Sequence, residues 1–178
     1  MSPWRPGDRR ADTGSMLRVD QAGEYGATRI YAGQLAVLRP NCPEAKLIAR
    51  MAAQEERHLK RFNHMMAERS GRPTLLQPFW DVAGFALGAA TALMSEKAAL
   101  ACTDAVETEI DRHYQQQLDE LGGDDPELAA DIAEFRAEEI EHRDTAREAG
   151  AADAVGYPLL TAAIRAGCRV AIGLSKRI

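Results

Sequence analysis

A chain of 178 residues has the size of one domain and is long enough to bury a substantial core. Apolar residues make up 46% and aromatics 6%, with Ala and Leu outweighing Val and Ile, a balance that predicts helices rather than strands. A formal net charge of -5 with scattered Lys and Arg argues against a nucleic-acid partner, and three cysteines, Cys42, Cys102 and Cys168, without C-x-x-C spacing argue against a disulfide framework, a zinc ribbon or a rubredoxin-type centre and fit a reducing compartment.

The first 14 residues carry Arg5, Arg9 and Arg10 but no apolar run of the kind found in secretory signals. They are expected to be a mobile tail ahead of a single domain, 15–178. Apolar positions at three- and four-residue steps then predict six helices. The first runs from about Met16 to Leu38 and stops before Pro40. The second starts near Pro43 and ends at Ser70-Gly71-Arg72-Pro73. A third, strongly apolar, follows Pro78 to about Leu93. The fourth runs from about Glu96 to Leu121, closed by Gly122-Gly123. Asp125-Pro126-Glu127 reads as an N-cap, a proline in the first turn and an acid beside it, opening a fifth helix to about Gly150. The sixth follows Tyr157-Pro158.

An internal repeat organises this series. Glu24 is followed by Tyr31, Gln34, Leu35 and Leu38, and Glu107 is followed at identical offsets by Tyr114, Gln117, Leu118 and Leu121. Each half continues to a Glu-x-x-His, Glu55 with His58 and Glu139 with His142. Two similar helical hairpins therefore build most of the chain.

All four acids fall on the apolar stripe of their helix. A buried carboxylate needs compensating charge or a proton, and none of the stripe positions is Lys or Arg. Pairing with the chain's own cations would need a residue reaching in from a flanking position such as Arg29 or Arg136. Two divalent cations would neutralise the four acids. Residues three apart on a helix lie side by side, so each Glu-x-x-His can address one metal while Glu24 or Glu107 completes or bridges the pair. One Glu from each of two helices with Glu-x-x-His from each of two others is the pattern of di-iron and di-manganese carboxylate bundles. The expected fold is thus all-α, a ferritin-like four-helix bundle with a short apolar helix and a C-terminal amphipathic helix, and the expected metal ligands are Glu24, Glu55, His58, Glu107, Glu139 and His142. Tyr31 and Tyr114 are read as core packing, His64 and His113 as surface residues or, for His113, a supporting role, and Asp104 and Asp111 as partners of the ligand histidines.

The segments RVDQAGEYGATRIYAGQLAVL, QEERHLKRFNHMM, FWDVAGFALGAATALM, ACTDAVETEIDRHY, FRAEEIEHRDTA and AGCRVAIGLS closely resemble the demethoxyubiquinone hydroxylase family of ubiquinone biosynthesis, over nearly the whole chain after about residue 16. The resemblance implies a di-iron monooxygenase that hydroxylates the ring of a polyprenyl demethoxy-ubiquinol with O2, taking electrons from NADH or the quinol itself. By that pattern Glu55 with His58 and Glu139 with His142 flank two irons, and Glu24 and Glu107 complete the shell as ligands or bridges.

Substrate access draws attention to two segments. DVAGFALGAATALM is too short to span a membrane and contains Asp81, so it reads as a buried core helix; LLTAAIRAGCRVAIGLSKRI pairs an apolar face with Arg165, Arg169, Lys176 and Arg177. Either suits peripheral membrane attachment or an interface with a second copy or a partner protein of the pathway. Attachment would be at the cytoplasmic face of the inner membrane in a bacterium, or the matrix side in a mitochondrion. The competing reading is a ferritin-like iron-storage protein or another di-iron oxidase.

Overall fold

A computed structural model describes residues 11–178, which are helical throughout apart from short connections. Helix α1 spans Thr13–Val37, α2 Pro43–Glu68, α3 Gln77–Met94, α4 Glu96–Leu121, α5 Pro126–Glu148 and α6 Tyr157–Ser175, with a 3-10 turn at Ala151–Asp153. The six expected helices are present with ends shifted by a few residues. The largest shift at a start is in α1, where the Asp12 side chain accepts from the Ser15 N–H and begins the helix at Thr13. Residues 1–10 of the expected tail lie outside the described residues.

The chain builds a bundle from α1, α2, α4 and α5, with α1 packed on α2 and α4 on α5. Helix α3 lies against α1 and touches α4, while α6 lies against α4 and touches α1. The third helix of each half thus takes an equivalent place, which extends the repeat beyond the two hairpins. Across the bundle, α2 and α5 meet through long side chains, among them Arg57 with Glu138 and Arg61 with Asp131.

The core is divided along the bundle axis. One apolar cluster holds Leu38, Ile48, Met51, Leu100 and Ala146, a second holds Leu17, Phe62, Leu121, Leu128 and Ile132, and a third, of Ile30, Cys102, Ala105, Val106 and Ile164, lies to one side. The four acids and two histidines of the repeat occupy the turns between the first two clusters, where each helix carries its ligand candidates midway along the stripe. Apolar layers above and below exclude water from that polar layer.

Helix α3 departs from its expected buried place. Phe79, Val82 and Leu93 are 60%, 67% and 74% exposed, and only Gly84, Gly88, Thr91 and Ala92 are buried. The reason is backbone proximity: a Cβ on Gly88 would meet the Ile30 carbonyl oxygen at 1.9 Å, and one on Gly33 the Phe85 carbonyl oxygen at 2.1 Å. Helices α1 and α3 therefore touch along glycines, and the bulky residues of α3 point away from the bundle.

Candidate metal centre

The six residues singled out by the repeat converge. Glu24, Glu55, His58, Glu107, Glu139 and His142 are each at most 2% exposed. Ligand atoms of Glu24, Glu55, His58 and Glu139 all lie within 4.8 Å of one another, as do those of Glu55, Glu107, Glu139 and His142. Each set has the spread expected around one ion with bonds of roughly 2.1 Å. Glu55 and Glu139 belong to both sets, whereas Glu24 and Glu107 belong to one each. His58 Nδ1 stands 3.0 Å from Glu139 and 3.4 Å from Glu24, and His142 Nδ1 stands 3.1 Å from both Glu55 and Glu139.

The donor set fits a metal pair. Glu55 Oε1, His58 Nδ1 and Glu139 Oε1 are buried and, among the described residues, make no well-aligned hydrogen bond, facing only one another and the other members of the cluster. Among the described residues no arginine serves them: Arg29 is paired with Asp81, and Arg136 with Asp111. Two other buried acids of the bundle, Glu109 and Asp104, are treated differently. Glu109, 2% exposed, accepts from Arg165 at 2.7 Å and Arg169 at 2.8 Å, and Asp104, equally buried, accepts from Arg147 and Tyr157. Those two acids have their cations supplied by the chain. The central four do not.

Without metal, protons must carry that charge. Burial, then repulsion from Glu139, pushes the Glu55 and Glu107 carboxyls well above the usual carboxylate range. Burial acts on Glu139 in the same direction, but hydrogen bonds with His142 and His58 outweigh it and hold the group down at about 2. For His58 burial opposes the cation, yet bonding to Glu139 and Glu24 raises it to about 10. The cluster thus holds Glu55 and Glu107 neutral and His58 charged beside an ionised Glu139, a balance that divalent cations would replace.

The tyrosines do more than fill the core. Tyr31 O–H donates to Glu107 Oε1 at 2.8 Å, and Tyr114 O–H donates to Glu24. Each half of the repeat therefore holds the single Glu of the other. Burial first, and the neighbouring carboxylates second, push both phenols well above their ordinary range and keep them donors. Their spacing of two turns from the acid in the same helix concealed this, because the contact is made across the α1/α4 pair.

The histidine partners are also not the expected ones. Asp104 bonds Arg147 and Tyr157, and Asp111 bonds Arg136 and Arg143, so neither approaches a ligand histidine. Instead His58 Nε2 lies 2.8 Å from Glu138 and His142 Nε2 lies 3.0 Å from Gln54. Gln54 and Glu138 each immediately precede the Glu of a Glu-x-x-His, a signal that was present in the repeat. Phe135 stacks on the His58 ring at 4.1 Å between centroids and fixes its plane. His113 is mostly buried, with Nε2 3.6 Å from Asp20, and does not bond a ligand histidine. His64 pairs with Glu68 on the surface.

Beside this centre, between α1, α3, α4 and α6, lies an apolar cleft of about 500 Å3. Gly26, Ile30, Leu87, Val106, Ile164 and Cys168 are among its walls. Gly23 and Val106, next in sequence to Glu24 and Glu107, also line it, so the cleft runs along the backs of the helices that carry those acids. Trp80 N–H bonds Ser175 Oγ at 3.1 Å and ties α3 to α6 at one end.

Comparison with known proteins gives the family. The family described as ubiquinone biosynthesis protein COQ7 matches residues 11–175. The chain is 55% identical to a 3-demethoxyubiquinol 3-hydroxylase of Rhodospirillum rubrum, over 91% of this chain and 76% of that protein. It is 49% identical to the human NADPH-dependent mitochondrial 3-demethoxyubiquinone 3-hydroxylase, over 95% and 79%, and 43% identical to the mitochondrial 5-demethoxyubiquinone hydroxylase of Saccharomyces cerevisiae, over 92% and 77%. With a match that spans nearly every described residue, the chain belongs to the ubiquinone biosynthesis protein COQ7 family.

Proposed function

We propose that this protein is a di-iron monooxygenase that hydroxylates the ring of a polyprenyl demethoxy-ubiquinol. The observation that carries the reading is the pairing of two buried Glu/His sets with an apolar cleft along the backs of the helices that carry Glu24 and Glu107. Iron would be held by Glu24 and His58 at one position and by Glu107 and His142 at the other, with Glu55 and Glu139 shared between them. Two irons bound there supply the activation of O2 once reduced. One oxygen atom enters the ring, the other leaves as water, and the electrons come from a reduced nicotinamide. NADPH is favoured over the NADH expected from sequence because several relatives carry NADPH in their names.

The chain's own residues orient and protect this chemistry. Tyr31 and Tyr114 hold the single carboxylates in place, and the apolar clusters above and below keep water away. The cleft takes the quinol ring and the first part of its prenyl chain. An iron-storage role would have no use for such a cleft.

Peripheral membrane attachment is part of the same proposal. No helix among the described residues is long and apolar enough to cross a membrane. Exposed Phe79, Val82, Leu93 and Met94 on α3 and Leu159, Val170 and Leu174 on α6 form apolar surfaces on the two helices that enclose the cleft. Arg165 and Arg169 serve Glu109, which leaves the basic contribution to lipid headgroups mainly to Lys176 and Arg177. The attachment faces the cytoplasm in a bacterial membrane and the matrix in a mitochondrial one.

Deleting the gene in its host and extracting quinones tests the activity. The demethoxy precursor should accumulate and be cleared by wild type but not by Glu139→Ala. Unchanged ubiquinone in the deletion strain would overturn the assignment.

A further inference from the structure

We propose that Gln54 and Glu138 form a hydrogen-bonded strap across the two ligand histidines that makes the metal positions unequal, the position at His58 being the tighter. The inference rests on the metal reading above and concerns how the chain tunes it.

The strap is continuous. Glu138 Oε2 lies 2.8 Å from His58 Nε2, and Gln54 Oε1 lies 3.0 Å from His142 Nε2. Gln54 also donates its amide N–H to Glu138 Oε2 at 3.4 Å, and Arg57 donates to the same oxygen at 2.6 Å. The chain of groups therefore runs His142, Gln54, Glu138, His58 on the α2/α5 side of the centre. Bonding in this pattern fixes a tautomer at both histidines. Glu138 is paired with Arg57 and accepts, so Nε2 of His58 keeps its proton and Nδ1, facing the centre, is the nitrogen that would give up its proton to a metal. Gln54 can offer His142 only its carbonyl oxygen, because its amide nitrogen is directed to Glu138, so His142 takes the same form.

The partners differ in kind although they are equivalent in the repeat. Glu138 is a carboxylate and Gln54 a neutral amide, each one residue before the Glu of its Glu-x-x-His. An imidazole that donates to a carboxylate becomes a more basic ligand than one that donates to an amide, because charge-assisted bonds pull harder on the N–H. The Phe135 stack adds rigidity on the His58 side alone, since Met51 stands at the equivalent position of the other half. Both differences favour the same metal position. Gln54 and Glu138 touch the ligands and not the substrate, and are positioning residues.

Cobalt titration of the metal-free protein, followed calorimetrically and by cobalt absorption, tests the strap. Wild type should take up two ions in two resolved steps. Glu138→Gln keeps size and an acceptor oxygen but removes the charge; it should weaken the tighter step by roughly 10- to 100-fold and draw the two steps together. Gln54→Leu should weaken the second step and leave the first in place. Arg57→Met breaks the ion pair between α2 and α5 but not the bond to His58, and should leave both steps within about threefold of wild type. Thermal melts of the metal-free variants report whether each one folds. Two unchanged steps in Glu138→Gln, or a loss in Arg57→Met as large as in Glu138→Gln, would overturn the strap while the metal centre stands. Failure of the wild type to bind cobalt at all would instead overturn the metal reading beneath it.

Discussion

Glu55 and Glu139 are the residues on which the centre turns, because each belongs to both ligand sets. Their environment gives the metal-free protein a definite pH response. Glu55 and Glu107 are raised above 4.5 on folding, so their contribution to stability is complete below that pH and is lost as pH rises beyond it. His58, raised from 6.5 to about 10, likewise contributes fully below 6.5 and loses its contribution as pH rises through about 10. Glu139 runs the other way, contributing above 4.5 and losing its contribution as pH falls through about 2. Two raised carboxyls and one raised imidazole make the metal-free protein lose stability from mildly acid to alkaline pH. Metal needs the deprotonated carboxylates, so the loaded protein should escape this loss. The difference in Tm between loaded and metal-free protein should widen between pH 5.5 and 8, as measured by calorimetry in matched buffers; a constant difference would mean that metal binding displaces no protons. At this scale the six residues that converge were legible and the groups that support them were not. Residues spaced for one helix face were readable from periodicity, whereas the Tyr31–Glu107, Tyr114–Glu24 and His–Gln54/Glu138 contacts join different helices; the repeat marks equivalent positions for these residues but not which partner each one meets.

Among the helices, α3 is set by glycine. Close contact of α1 with α3 requires hydrogen in place of Cβ at Gly33 and Gly88, since any Cβ would strike a carbonyl oxygen of the neighbouring helix. Gly88→Ala should force the helices apart and cost about 1–3 kcal/mol, the usual range for overpacking. Gly167, by contrast, has nothing within 4 Å of a Cβ position, and Gly167→Ala should be neutral or stabilise by about 0.5–1 kcal/mol through helix propensity. Urea unfolding of both variants checks the contrast, which would collapse if Gly88→Ala were as stable as wild type. The apolar composition of α3 suggested burial, because hydropathy alone does not distinguish a core helix from one that turns its apolar side outward. The small residues on one side were the distinguishing feature.

At the scale of the molecule, the equivalence of α3 and α6 places the cleft and the exposed apolar surfaces together. Replacing Val82 and Leu93 with Glu alters side chains that make little contact with the bundle. The double variant should keep its Tm within about 2 °C yet lose most of its co-sedimentation with vesicles of mixed zwitterionic and anionic lipid. Undiminished vesicle binding would remove α3 from the membrane contact.

The sequence by itself determined the helices, the duplicated frame and the six central residues. These follow from local rules: apolar periodicity, caps and breakers, and the cost of burying four acids without basic partners. Tertiary structure decided which acids are shared, which side chains support them and which way α3 faces. Each of those depends on contacts between residues from 34 (His58 to Glu24) to 90 (Tyr114 to Glu24) positions apart, where helix crossing and backbone approach, and not spacing along one helix, set which atoms meet.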